Sequence, residues 1–154
     1  METKQDLSNA ATPTNQPTFH SSNIYKIAKD CLGKHITEDP NVDPNLGCAE
    51  AVSYVLEQAG YDLGSLGIEG TSELYTWLQN HFTQVVNPLA GDIIISPTGT
   101  STTGSPHGHV GIVAKYGILS NSSSSGLFLE NFDLGKWNSY YSALGFPVLF
   151  FRAK

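Results

Sequence analysis

The chain has 154 residues, enough for one domain that buries about two-thirds of its unfolded surface, so a core forms without disulfide or metal staples. Apolar residues make up 40% and charged residues 14%, and the formal net charge is −6, which argues against nucleic acid and anionic lipid as partners. No apolar run approaches the roughly 18 residues of a membrane span, and two cysteines, Cys31 and Cys48, leave one disulfide at most.

Residues 1–21 are polar, carry Pro13 and Pro17 and show neither a helix nor a strand period. They are expected to form a disordered or arm-like tail ahead of a single catalytic domain over 22–154. This tail lacks the cationic start and apolar core of a secretory signal. A first helix is expected from Ser21 or Ser22 to near Gly33, with Ile24, Ile27, Ala28, Cys31 and Leu32 on one stripe. An acidic loop marked by Pro40 and Pro44 follows, from Thr37 to Leu46. The second helix runs from about Gly47 to Ala59, burying Cys48, Val52, Val55 and Leu56, and stops at Gly60. A third begins with Thr71 or Ser72 as N-cap and runs to about Phe82. Short apolar or alternating runs then occupy Ile93–Ile95, Val110–Ala114, Ile118–Asn121, Leu127–Phe132 and Pro147–Phe151. Helices first and a meandering sheet afterwards predict an α+β domain.

Two residues stand out chemically. Cys48 opens a helix, where unpaired amides and the macrodipole stabilise a thiolate and hold the oxyanion formed by its attack on a carbonyl. A buried core cysteine is the competing explanation. Cys31, mid-helix in an apolar stripe, is read as plain core. His109 opens a strand in which Val110, Ile112 and Ala114 point to the core and His109, Gly111 and Val113 to the other face. The glycines flanking it would let a substrate backbone approach the imidazole. The competing explanations are an exposed strand-end histidine and a zinc site on His107 and His109, which lacks a third ligand.

The Gly47-Cys48 pair at a helix start, the strand Gly91-Asp-Ile-Ile-Ile95 and the segment Gly108-His-Val-Gly-Ile-Val113 resemble the NlpC/P60 and CHAP superfamily. These are papain-like peptidoglycan amidases and endopeptidases, many of them phage lysins. The resemblance covers about residues 45–132, and the ending from Trp137 to Phe151 is similar to small phage-associated members. Gly47 and Ala49 stand where many members have Asp and Ser, and Ala90 where many have proline. The resemblance implies a papain-like α+β fold with helices on an antiparallel sheet, Cys48 as nucleophile and His109 as base. It implies a monomer acting on peptidoglycan stem peptides, with no nucleic-acid or membrane partner and no cofactor. Such a protein is made in the cytoplasm and reaches the wall by lysis, in a virion or through a secretion apparatus.

A third polar residue should orient the imidazole. A three-residue turn at Lys115-Tyr116-Gly117 would pair Ala114 with Ile118 and set Asn121 opposite Gly111, on His109's face. The twelve-residue step from His109 to Asn121 also resembles the NlpC/P60 spacing, and Glu130 resembles the CHAP alternative. Asp39, Asn41, Asp43 and Glu50 offer hard oxygen ligands for calcium, which some CHAP domains bind just before the cysteine, although Pro40 and Pro44 favour a plain loop. Two other classes stay open: a lipid acyltransferase or phospholipase of related fold, which needs an apolar membrane-facing segment, and a non-catalytic wall-binding or interaction domain.

Overall fold

In a computed structural model, residues 17–37, 47–64 and 70–154 are described. Helix α1 (Phe19–Asp30) starts earlier than its apolar stripe, because the Thr18 hydroxyl accepts the Ser21 N–H at 2.9 Å while Ser21 Oγ accepts the Thr18 N–H at 2.8 Å. This reciprocal cap satisfies two donors that a helix start leaves orphaned. Ser21 is fully buried, and the helix begins two or three residues ahead of the expected start at Ser21 or Ser22. Residues 1–16 lie outside the described residues. The helix ends with Cys31 as its C-cap, rather than carrying it mid-helix. Helix α2 (Gly47–Gln58) buries Cys48, Ala49, Val52, Val55 and Leu56 as its stripe predicts. Helix α3 (Thr71–His81) is capped by Gly70 instead of Thr71 or Ser72; the Thr71 hydroxyl pairs with Thr98 at 2.6 Å.

The sheet is antiparallel throughout, with strands β1 (Phe82–Val85), β2 (Ile93–Ser96), β3 (His109–Val113), β4 (Ile118–Asn121), β5 (Phe128–Phe132) and β6 (Leu149–Ala153) in the order β1-β6-β2-β3-β4-β5. It is not a meander, since β6 returns to lie between β1 and β2. Two elements escape the sequence pattern: the edge strand β1 and helix α4 (Leu134–Ala143). Helices α1 to α3 cover one face, where Ile93, Ile95, Val110, Ile112 and Leu119 join the main core. Helix α4 covers the other, packing Trp137 and Tyr141 against Ile94, Val113 and Ile118. Both faces of β2 and β4 are buried, so these strands read as unbroken runs rather than as alternation. Among the described residues no helix is long and apolar enough to cross a membrane.

One register differs from expectation. Ala114 donates its N–H to the Gly117 carbonyl at 2.7 Å, and Val113 pairs with Ile118 and Ile112 with Leu119. The β3–β4 turn therefore has two residues, Lys115 and Tyr116, rather than three. A one-residue slip moves every side chain of a strand to the opposite face. Between β4 and β5, Ile118 opposes Phe132 while Leu119 opposes Glu130, so Asn131 is the extra residue of a bulge.

Beside the start of β2, Asp92 and Arg152 are both buried and form a two-pronged pair, Nε to Oδ1 at 2.9 Å and Nη2 to Oδ2 at 2.7 Å. The Leu89 N–H donates to Asp92 Oδ2 at 2.7 Å, and Arg152 Nη2 also donates to the Asn87 carbonyl at 3.0 Å. The Asp of the Gly-Asp motif is thus structural. Asp92→Ala leaves a buried guanidinium without its counter-charge and should cost about 3–5 kcal/mol, read as a lower urea midpoint at unchanged slope. A chain beginning at Ser22 loses the Thr18–Ser21 cap and should be at least about 1 kcal/mol less stable than one beginning at Gln16; equal urea midpoints would show that the cap contributes nothing.

Candidate functional site

Cys48 is the second residue of α2 and only 3% exposed. Both cysteines are free thiols. Hydrogen bonds to the Cys48 sulfur come from the backbone amides of Val110, Ala49 and Cys48 itself, and these favour the thiolate. Burial outweighs them and pushes the thiol up to about 11. Burial thus favours the neutral thiol at Cys48, opposing the thiolate that a helix start favours. The Val110 amide places the sulfur beside the residue that follows His109. Burial also raises the Cys31 thiol, which lies at the other end of α1 from its cap, in the core.

His109 opens β3 on the face covered by α4. Its ring stacks on Trp137 at 5.0 Å between centroids and 20° between planes, and on Tyr141 at 6.0 Å and 22°. Phe132 closes a third side at 5.7 Å. Trp137 is itself fixed by its indole N–H, which donates to Ser96 Oγ at 3.1 Å. Desolvation by these rings holds the imidazole well below its usual range, at about 4. The glycines beside it serve the protein's own packing: a Cβ on Gly108 would overlap the Ser96 carbonyl oxygen, and one on Gly111 would come within 2.7 Å of Ile118 Cγ2. They are not a clearance for substrate.

Cys48 and His109 line one cavity of about 290 Å³, together with His107, Asn121, Asn131 and Tyr141 among others. Burial raises the Tyr141 phenol, and the nearby sulfur of Cys48 adds to the shift. Tyr141 thus lies within electrostatic reach of the nucleophile while stacking on the imidazole.

The residues expected behind the imidazole are elsewhere. Asn121 is 5% exposed and belongs to the helix face: its Nδ2 lies 2.8 Å from where a Cβ of Gly47 would stand, and its buried Oδ1 has no hydrogen-bond partner. Glu130 is exposed, beside Gly117 on a separate groove. The hydrogen bond at His109 Nε2 is made instead by Ser120 Oγ at 3.2 Å, and Ser120 Oγ donates to Asn131 Oδ1 at 2.6 Å. The two-residue turn explains the exchange, because it brings Ser120 opposite Gly111 and sends Asn121 across the sheet. Of the calcium candidates, Asp39, Asn41 and Asp43 lie outside the described residues, and Glu50 sits in the first turn of α2. No group of three or more His, Cys, Asp or Glu suited to a metal occurs among the described residues.

No curated protein matches the sequence. A chain of the type VI native effector–immunity complex Tae3–Tai3 from Ralstonia pickettii has a similar fold, with a TM-score of 0.56 at 18% identity, covering 87% of this chain and 98% of that one. The CHAP domain model matches residues 39–123, more than half of the sequence and the span that carries both Cys48 and His109. The chain therefore belongs to the CHAP domain family, the family that its motifs resemble.

Proposed function

We propose that this protein cleaves an amide bond in cell-wall peptides by acyl transfer from Cys48, with His109 as general base and then general acid. The observation that carries the reading is the shared cavity: a thiol ringed by three backbone amides on one side and a desolvated imidazole on the other. As the sulfur attacks the carbonyl carbon, its proton passes to His109, and the amides of Cys48 and Ala49 at the open end of α2 stabilise the oxyanion. The protonated imidazole gives that proton to the departing amine. Water, deprotonated by the same imidazole, then opens the thioester and regenerates the thiol. Starting from a neutral pair, proton transfer accompanies attack rather than preceding it.

An open groove bordered by Phe132, Gly135, Ser139 and Tyr140 adjoins the cavity, sharing Phe132 and Tyr140 with it. It gives a stem peptide an aromatic bed along which Asp133 and Lys136 supply one charge of each sign. A lipid substrate would need a broad exposed apolar face at the same place; of the exposed large apolar residues among those described, Tyr140 lines the cavity and Phe19, Leu32, Val86 and Tyr116 do not. For delivery to the wall, transfer by a secretion apparatus fits a structural neighbour taken from an effector–immunity complex.

Cys48→Ala should abolish release of fragments from purified sacculi while the protein stays folded, whereas Cys31→Ser should remain active and melt lower. Mass spectrometry of the products would identify the bond, and digestion by Cys48→Ala would end the mechanism. The pH profile gives a second test. The base must be neutral, and burial keeps His109 neutral down to about 4, so the acid limb of kcat/KM on a soluble muropeptide should fall near that value rather than near the ordinary histidine value of about 6.5. Iodoacetamide labelling of residue 48 should rise about tenfold per pH unit through the neutral range, because only the scarce thiolate reacts. Fast, pH-independent labelling at pH 7 would mean that a thiolate is already present.

A further inference from the structure

A hydroxyl has one hydrogen to give, and an amide carbonyl oxygen can only accept. Ser120 Oγ spends its hydrogen on Asn131 Oδ1 at 2.6 Å, so toward His109 Nε2, 3.2 Å away, it has only a lone pair to offer. The imidazole nitrogen at that contact must then carry the hydrogen. In a neutral ring this leaves Nδ1 as the unprotonated nitrogen. Asn131 reaches Ser120 because it is the extra residue of the β4–β5 bulge, a feature that re-aims a side chain without breaking the strand. Ser120 is wholly buried and Asn131 lines the cavity, so the pair connects the back of the imidazole to the cavity wall.

We propose that Ser120 and Asn131 are positioning residues that act in series to hold His109 as its Nε2–H tautomer, so that Nδ1 is the atom that takes the Cys48 proton. The relay contains no carboxylate, and neither Glu130 nor Asn121 takes part. It differs from a single polar residue behind the base in requiring a direction: reversing the Ser120 hydroxyl would put the hydrogen on Nδ1 and disable the base. The proposal rests on the Cys48–His109 reading, but its first test does not need activity.

Nitrogen-15 NMR of the histidine-labelled full chain in the Cys48→Ala background, at pH 7, reports which ring nitrogen of His109 bears the hydrogen. A protonated-type shift at Nε2 and an unprotonated-type shift at Nδ1 are expected. Asn131→Ala, at an exposed position that folding tolerates, frees the Ser120 hydroxyl to turn and should populate the Nδ1–H form. Asn131→Asp keeps an acceptor and should restore the Nε2–H form, which a merely structural role for Asn131 would not do. With Cys48 present, Asn131→Ala should lower kcat on a soluble muropeptide about tenfold at unchanged KM, the scale of a misaligned general base, and Asn131→Asp should recover most of that loss. An Nδ1–H ring in the parent protein, or equal tautomer populations in the Ala and Asp variants, would overturn the relay. Digestion by Cys48→Ala with the Nε2–H tautomer intact would instead overturn the nucleophile and leave the relay standing.

Discussion

Antiparallel strands offer two parities, and the two-residue connection at Lys115 and Tyr116 selects one of them for the whole reactive end of the sheet. With that choice Ser120 stands behind His109 and Asn121 is delivered to α2. The helix must then accommodate a carboxamide at its first residue, and a side chain at position 47 would collide with it. Gly47 is the counterpart of Asn121 across the packing between α2 and the sheet. The register of one hairpin thus constrains the residue before Cys48 as well as the residue behind His109.

The two sides of the sheet supply different chemistry. The helix side contributes the thiol and a concentration of backbone amides. The α4 side contributes an aromatic wall on which the half-buried imidazole is stacked. The halves meet around the start of β3, where the Val110 amide reaches the Cys48 sulfur and the preceding residue is His109. Such an arrangement tolerates little movement between the layers. The buried Asp92–Arg152 pair restrains the strands that carry them: it ties β6 to the segment entering β2, and β2 is the strand on which β3 is built.

Much of this was legible in the sequence. The stripes of α1, α2 and α3, five of the six strands and the antiparallel α+β class follow from spacing alone, and the motif around His109 marks the strand that lines the cavity. What failed did so for local physical reasons. Turn length depends on whether Gly117 sits inside the turn or closes it, which composition does not decide, and that single residue exchanged Ser120 for Asn121. A bulge at Asn131 leaves no mark on an apolar pattern. Helix α4 covers its face with only Trp137 and Tyr141 buried, too sparse a stripe to announce a helix. The Thr18–Ser21 cap precedes the first periodic residue and fell within what reads as a polar tail. The helix start at Cys48 is visible in sequence, whereas the burial that raises its thiol is a tertiary property.

Burial of Cys48 has a consequence beyond the catalytic cycle. Peroxides and disulfides attack thiolates, and the ladder from sulfenic to sulfonic acid begins only from that form. A sulfur kept protonated by its surroundings offers oxidants almost nothing to react with, and with Cys31 likewise buried the chain has no exposed thiol among its described residues. Burial therefore shields the Cys48 sulfur from oxidants in the same way as it shields Cys31.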